Sequence, residues 1–126
     1  MSTLSIPENH QAVMPYLILT GAAKFLEFTK KVFGAKETAL YKRENAGGIM
    51  HAEIMIGNST IMFADSTEQW QKSVAGLFIY VKNADEVYAK AIAEGATTLM
   101  EPADKDYGRT CGVKDPLGNT WWITSL

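Results

Sequence analysis

The chain has 126 residues, of which 47% are hydrophobic and 21% are charged, and its formal net charge is −2. This length allows one domain with a hydrophobic core and excludes two independent domains, while the composition excludes a disordered chain. The small negative charge gives no electrostatic reason to expect nucleic acid or an anionic membrane as a partner.

The first half of the chain predicts an arm, a strand, a helix and three more strands. Residues 1–11 are polar and lack periodicity, so we expect a loose arm before a single domain of residues 12–126. The apolar run at residues 13–19 predicts a strand, and Pro15 favours the strand's beginning or an edge position. Apolar residues at helical spacing follow, and Gly34 ends that helix. The three further strands are predicted over residues 37–42, 49–56 and 60–64.

The second half repeats this order. A strand at residues 77–81 precedes a helix that Asn83 and Glu86 would cap and that Gly95 would end. Its buried stripe is predicted to contain Val87, Tyr88, Ala91 and Ile92, and strands follow over residues 97–100, 110–114 and 120–124. Gly34-Ala35 and Gly95-Ala96 stand 61 positions apart, as do Gly57 and Gly118. The sequence therefore predicts two βαβββ modules, over about residues 12–66 and 75–126.

Two motifs carry a family resemblance, and their order and spacing cover nearly the whole chain after residue 12. They are HAEIMIG at residues 51–57 and GVKDPLGNTW at residues 112–121. With them the chain resembles the PhnB-like branch of the vicinal oxygen chelate (glyoxalase/bleomycin-resistance/dioxygenase) superfamily. The resemblance implies an α+β fold with one curved mixed sheet, helices outside, a concave cavity and a homodimer. Such relatives include metal-dependent enzymes and metal-free proteins that bind drugs.

Strand alternation predicts which side chains face that cavity. A two-residue turn at Gly57-Asn58 pairs Ile56 with Ser59 and Glu53 with Met62. One face of this hairpin, formed by Ile54, Ile56, Ile61 and Phe63, is apolar and suits packing under the helices. The opposite faces are expected to line the cavity with Met14, Tyr16, Ile18, His51, Glu53, Met55, Thr60, Met62, Gly76, Phe78, Tyr80, Thr120, Trp122 and Thr124. The register leaves the facing of Arg109 and Cys111 open, because the turn at residues 115–118 is longer.

The resemblance also implies where a metal would bind. In metal-using relatives four inward positions supply His, Gln or Glu, and here the aligned residues are Met14, Met62, Gly76 (or Leu77) and Trp122. A thioether and an indole do not replace imidazole or carboxylate donors for zinc, nickel, manganese or iron. We therefore expect no metal and no cofactor.

His51 and Glu53 are the candidate catalytic residues. Desolvation among Met62, Met55 and Tyr16 would raise the pKa of Glu53 and suit it to general-base catalysis. Alternatively, Glu53 pairs with Arg109 or His51 to compensate a buried charge, and this second interpretation is favoured. Cys111 has no base near it in sequence, so a nucleophilic role is not expected, and residues 115–118 are interpreted as turn chemistry.

A metal-independent small-molecule-binding role is the leading interpretation. The alternative is a lyase, isomerase or dioxygenase-like enzyme that uses Glu53 and His51, with or without a divalent metal, and a third interpretation is a structural or regulatory dimer with a filled cavity. The expected ligand is aromatic or amphipathic, because aromatic side chains face inward. The predicted ligand-binding residues are Tyr16, His51, Glu53, Met62, Phe78, Tyr80, Arg109 and Trp122. Trp70, between the modules, would close the cavity mouth or lie in a dimer contact. The absence of a membrane-length apolar run and of a signal sequence, together with a single cysteine, favours a cytoplasmic location.

Overall fold

The computed structural model describes residues 4–44 and 47–126. Two helices and eight strands follow the order expected from the sequence. The first module contains β1 (Tyr16–Leu19), α1 (Ala22–Phe33), β2 (Lys36–Lys42), β3 (Ile49–Ile56) and β4 (Ser59–Asp65). The second contains β5 (Gly76–Tyr80), α2 (Ala84–Ala93), β6 (Thr97–Lys105), β7 (Gly108–Lys114) and β8 (Thr120–Ser125).

Each module forms a four-stranded sheet, and the two sheets have the same strand order. The first is β1-β4-β3-β2 and the second is β5-β8-β7-β6. In both sheets the first strand runs parallel to the last, while the other neighbours are antiparallel. This confirms the α+β class and the two βαβββ modules, and the strands of each sheet all come from one module.

The hairpin register agrees with the sequence prediction. Ile56 is paired with Ser59 and Glu53 with Met62, so the alternation that faces His51 and Glu53 away from the helices is correct. Pro15 immediately precedes β1, which lies at the edge of its sheet. Two elements differ most from their predicted bounds. β1 is shorter than residues 13–19, and β6 extends five residues beyond Met100 through two irregularities in its pairing with β7.

Aromatic packing joins the two modules. Phe25 of α1 packs edge-on against Phe63 of its own module, with ring centroids 4.9 Å apart. Trp121 of the second module lies 4.4 Å from Phe33 and 6.5 Å from Phe25. One hydrophobic core therefore contains side chains of both modules. The predicted stripe of α2 needs one correction, because Ile92 is exposed, while Ala91 is buried and Val87 and Tyr88 are partly buried.

Two carboxylates fix the ends of these elements. Asp65 accepts hydrogen bonds from the backbone N–H groups of Ala22 and Ile49, at 2.8 and 2.7 Å, so it links the N-terminus of α1 to the start of β3. Asp115 accepts from the backbone N–H of Leu117 and from the indole N–H of Trp121, both at 2.8 Å. The turn that the sequence predicted at residues 115–118 is therefore built around a buried carboxylate.

Among the described residues, no helix is both long enough and apolar enough to cross a membrane.

Candidate functional site

A polar cluster lies on the face of the first sheet that is turned away from the helices. β3 places His51 and Glu53 two residues apart on that face, and β1 contributes Tyr16 through its pairing with β4. The alternation of β3 explains this arrangement, because Ala52 and Ile54 between and beyond them are fully buried in the core.

The cluster is a continuous chain of hydrogen bonds. The Tyr16 hydroxyl lies 3.0 Å from Nδ1 of His51, and Nε2 of His51 lies 2.7 Å from Oε2 of Glu53. On the other side of the carboxylate, Oε1 lies 2.8 Å from Nε2 of His10. The ring of His10 continues to the backbone oxygen of Glu8, 3.1 Å from Nδ1. Side-chain exposure is 13% for Glu53 and 24% for His51, so the centre of the chain is largely shielded from water.

The acceptors in this series of hydrogen bonds show which ring nitrogens must carry a proton. A carboxylate only accepts, so both Nε2 atoms donate to Glu53. Nδ1 of His51 faces the Tyr16 hydroxyl, and in the neutral ring this nitrogen accepts from that hydroxyl. Both ring nitrogens of His10 lie against oxygens, Nε2 against Glu53 and Nδ1 against the backbone oxygen of Glu8.

Glu53 is consequently held in its ionised form. Burial raises the pKa of the carboxyl group, but the hydrogen bonds from His51 and His10, together with the electrostatic attraction between the carboxylate and the two rings, outweigh burial and lower the pKa below its ordinary value. The expectation of a raised pKa for a general base at Glu53 is therefore wrong. The alternative interpretation, a buried charge compensated by His51, describes the structure.

The N-terminal arm supplies a residue that the sequence analysis missed. His10 comes from the segment expected to be loose, and two neighbours of His10 also contact β4. Gln11 accepts from the backbone N–H of Thr60 at 3.0 Å, and the hydroxyl of Thr60 donates to the backbone oxygen of Asn9. Residues 9–11 are therefore docked on the first sheet, and the expectation of a loose arm is corrected for them. Only a contact distant in sequence, between residues 10 and 53, would have revealed this.

A cavity of about 790 Å³ opens beside the exposed end of the hydrogen-bond chain. Tyr16, Ile18 and Ala64 form its floor, as strand alternation predicted for the first two, and Met50, Arg43 and residues 67–70 form its walls. Trp70 lies on this wall and is held in a tight turn, in which its backbone N–H donates to the hydroxyl of Thr67 at 2.9 Å. A second cavity of about 330 Å³ lies against the arm, and Met14 and Met62 are among the residues that line it.

The second sheet presents a cluster of aromatic side chains on the face turned away from its helix. Phe78 lies beside Trp122 in the strand register, and its ring is 5.2 Å from that of Tyr80 and 6.5 Å from that of Tyr107. All four are exposed, with Trp122 the least exposed at 38%. Gly112 makes room for Trp122, because a Cβ atom at that position would lie only 2.3 Å from the indole ring.

Arg109 and Cys111 lie on the face of the second sheet opposite the aromatic cluster. The sequence had left their facing open. The guanidinium of Arg109 pairs with Asp85 of α2 at 3.1 Å and with Asp104 at 3.4 Å. Cys111 is fully buried in the core, and this burial raises the pKa of its thiol to about 11. Arg109 therefore does not belong to the candidate binding surface.

The donor set does not fit the metal site of metal-using relatives. Met14 and Met62 line the smaller cavity against the arm, and Gly76 and Trp122 lie on the second sheet. Over residues 4–44 and 47–126, His, Cys, Asp and Glu side chains form no group of three positioned to hold an ion. His10 and His51 approach Glu53 but contact different carboxylate oxygens at hydrogen-bond distance. That no metal is bound stays a prediction.

The chain shares its family and its fold with known proteins. Residues 11–123 match the model of the Glyoxalase/Bleomycin resistance protein/Dioxygenase superfamily. An uncharacterised protein of Mycobacterium bovis is 28% identical over 122 aligned residues, which cover 87% of this chain and 80% of that protein.

Two solved structures share the fold. A PhnB protein from Bacillus cereus superimposes with a TM-score of 0.73 at 18% identity and covers 92% of this chain and 100% of its own. TnmS3, an antibiotic-binding protein from Streptomyces sp. CB03234, superimposes with a TM-score of 0.68 at 17% identity, covering 92% and 98% of the two chains.

Proposed function

The chain belongs to the Glyoxalase/Bleomycin resistance protein/Dioxygenase superfamily, and from that premise we propose that it is a metal-independent protein that captures a small aromatic or amphipathic molecule. The observation that carries this proposal is the set of aromatic side chains left uncovered on the sheet faces that point away from the helices. Phe78, Tyr80 and Trp122 are exposed on one sheet and Tyr16 on the other. Large apolar surfaces of this kind mark binding sites.

The cavity beside Tyr16 supports capture of a compact ligand. Its volume of about 790 Å³ lies in the range of small-molecule sites. Tyr16, Met50 and Trp70 offer aromatic and thioether surface for stacking, while Arg43 and Glu68 place one positive and one negative side chain at the wall. This mixture suits an amphipathic molecule with an aromatic part.

The chemistry of the aligned positions supports the proposed metal independence. Two thioethers, a glycine and an indole are poor ligands for the divalent ions that metal-using relatives bind. The imidazoles are engaged with Glu53, and His51 is also engaged with Tyr16, so the cluster has its own internal partners. Binding is thus proposed to rest on stacking and burial.

A second copy of the chain is the proposed protein partner, and the cytoplasm is the proposed location. The aromatic cluster of the second sheet would be partly covered in a homodimer, in which a face of one protomer meets a face of the other. Light scattering during size-exclusion chromatography gives the mass directly. A mass of 27–28 kDa, twice that of the 13.9 kDa chain, is expected, and a monomer at micromolar concentration would contradict this assignment.

Tryptophan fluorescence tests ligand capture. A panel of aromatic antibiotics and aromatic metabolites is titrated against the wild type, Trp122→Phe and Trp70→Phe. We expect saturable quenching by at least one compound, and loss of most of that signal in the variant of whichever tryptophan lies at the ligand. The buried Trp121 serves as the internal background. Absence of any saturable binder across a broad panel would contradict the proposal.

A further inference from the structure

The hydrogen-bond chain on the first sheet ends in a tyrosine hydroxyl at the cavity. We propose that Tyr16 is a proton-transfer group, activated through His51 and Glu53, and that the cavity therefore performs acid–base chemistry on a bound molecule with a weakly acidic X–H group. This goes beyond ligand capture, and it replaces Glu53 by Tyr16 as the group that meets the ligand.

The geometry is that of a carboxylate, an imidazole and a hydroxyl in series. Glu53 accepts from Nε2 of His51 at 2.7 Å, so the neutral imidazole carries its proton on Nε2 and leaves Nδ1 unprotonated. That nitrogen lies 3.0 Å from the Tyr16 hydroxyl and is positioned to take its proton. His51 is thus the positioning base, and Glu53 stabilises the imidazolium that forms.

The two ends of this series differ in their exposure to solvent. Glu53 and His51 are largely shielded, whereas 47% of Tyr16 is exposed and its side chain forms part of the cavity floor. Both oxygens of Glu53 already accept N–H groups from the two imidazoles, so the carboxylate is occupied. Of the three residues in the series, Tyr16 is the one that lines the cavity, so a molecule bound there would meet Tyr16 first.

The proposed proton transfer balances without any further reagent. The proton of the X–H group moves to the Tyr16 oxygen as the proton of Tyr16 moves to Nδ1 of His51, and X keeps the electron pair of the broken bond as the conjugate base of the ligand. The reverse path returns the proton to the same or to another atom of the ligand, so the class of reaction is deprotonation or proton relocation, with no oxidation. Weak O–H acids and carbon acids next to a carbonyl are the fitting ligand classes.

Acetylation by N-acetylimidazole tests the activation of Tyr16 without any knowledge of the ligand. In this reaction the Tyr16 oxygen forms a bond to the acetyl carbon, the bond from that carbon to imidazole breaks, and the phenolic proton leaves through His51 to the departing imidazole. Peptide mass spectrometry gives the initial labelling rate of each tyrosine at pH 7 in the intact protein. Tyr41 is the matched comparison, because it lies on the same face with its ring 6.3 Å from that of His51 and is more exposed, at 57%.

Accessibility alone predicts that Tyr41 is labelled faster than Tyr16. The relay predicts the opposite order, with Tyr16 at least 10-fold faster, and a loss of at least 5-fold at Tyr16 in His51→Gln and in Glu53→Gln. Glu53→Asp, which keeps the charge, should restore part of that loss. Glu37→Gln, the same chemical change at a carboxylate paired with Lys30, should leave the Tyr16 rate unchanged.

Two results would overturn the inference. One is a wild-type Tyr16 that is labelled no faster than Tyr41, a comparison that needs no variant to fold. The other is an unchanged Tyr16 rate in both His51→Gln and Glu53→Gln when near-ultraviolet circular dichroism shows native packing. Nitrogen-15 spectra of the wild type give an independent check, in which His51 should carry its proton on Nε2 and protonation on Nδ1 alone would contradict the relay. Ligand capture is measured separately by tryptophan quenching, so either proposal can fail alone.

Discussion

The sequence and the structure lead to opposite directions for the pKa shift of Glu53. Its position among methionines and a tyrosine favours a raised pKa when only the strand is considered. The structure adds two imidazole donors, one of them from residue 10, and these reverse the direction of the shift. The carboxylate is therefore a fixed negative charge that orders two histidines, and the hydroxyl at the end of the series meets the cavity.

The lowered pKa of Glu53 makes stability depend on pH. A carboxyl group whose folded pKa lies below its ordinary value of 4.5 stabilises the fold above that pH, and the contribution is lost as the pH falls through the folded pKa. Glu53→Gln should therefore lower the free energy of unfolding at pH 7 by about 1–3 kcal/mol, because the partly buried N–H groups of His51 and His10 would lose their charged acceptor.

Urea denaturation of both proteins at pH 7 and at pH 3.5 measures this difference. The gap between wild type and variant should narrow at the lower pH, and Glu37→Gln should show a gap near zero at both. A gap that widens as the pH falls would mean that the carboxyl group is stabilised in its protonated form.

Gly112 and Trp122 form the contact on which the aromatic face of the second sheet depends. β7 brings Gly112 opposite Trp122 of β8, and the indole ring occupies the space where a Cβ atom would be. Gly112→Ala should therefore displace the ring and cost about 1–3 kcal/mol of stability through overpacking. We expect ligand affinity to fall at least 10-fold if the ligand stacks on Trp122.

Gly76→Ala is the matched control for that variant. Gly76 lies on β5, and a Cβ atom there would contact nothing within 4 Å. Affinity measured by fluorescence titration should change by less than about threefold, since little is displaced. Equal losses in both variants would show that the sheet face as a whole, and not the position of Trp122, governs binding.

The elements themselves were largely predictable from local patterns. Helical spacing and Gly34 predicted α1, and the Gly57-Asn58 turn predicted the pairing of Glu53 with Met62, because both depend on neighbours in the chain. The docking of His10 and the facing of Arg109 were not predictable in this way. The first depends on a contact across 43 residues, and the second on the length of the turn before β8 and on Asp85 of α2.

At the scale of the whole molecule, the core between α1 and Trp121 joins the modules. Phe25 is fully buried and contacts both Phe63 and Trp121. Phe25→Ala should lower the free energy of unfolding by about 3–5 kcal/mol, through lost burial and the cavity left behind. Phe78→Ala removes the same ring from an exposed position, so its cost should stay below about 1 kcal/mol.

Thermal or chemical denaturation of these two variants, followed by tryptophan fluorescence and by circular dichroism, provides the measurement. Coincident transitions of the two signals are expected, because a shared core makes the modules unfold together. A Phe25→Ala protein in which one module unfolds well before the other would show that the interface contributes little.

Ligand binding with and without metal tests the central claim most directly. Protein purified without chelators is analysed for its elemental content, and the strongest binder from the tryptophan titration is then measured before and after dialysis against EDTA. We predict no stoichiometric transition metal and an unchanged dissociation constant. A bound transition metal at one equivalent per chain, with binding that disappears on chelation and returns with the ion, would contradict the account.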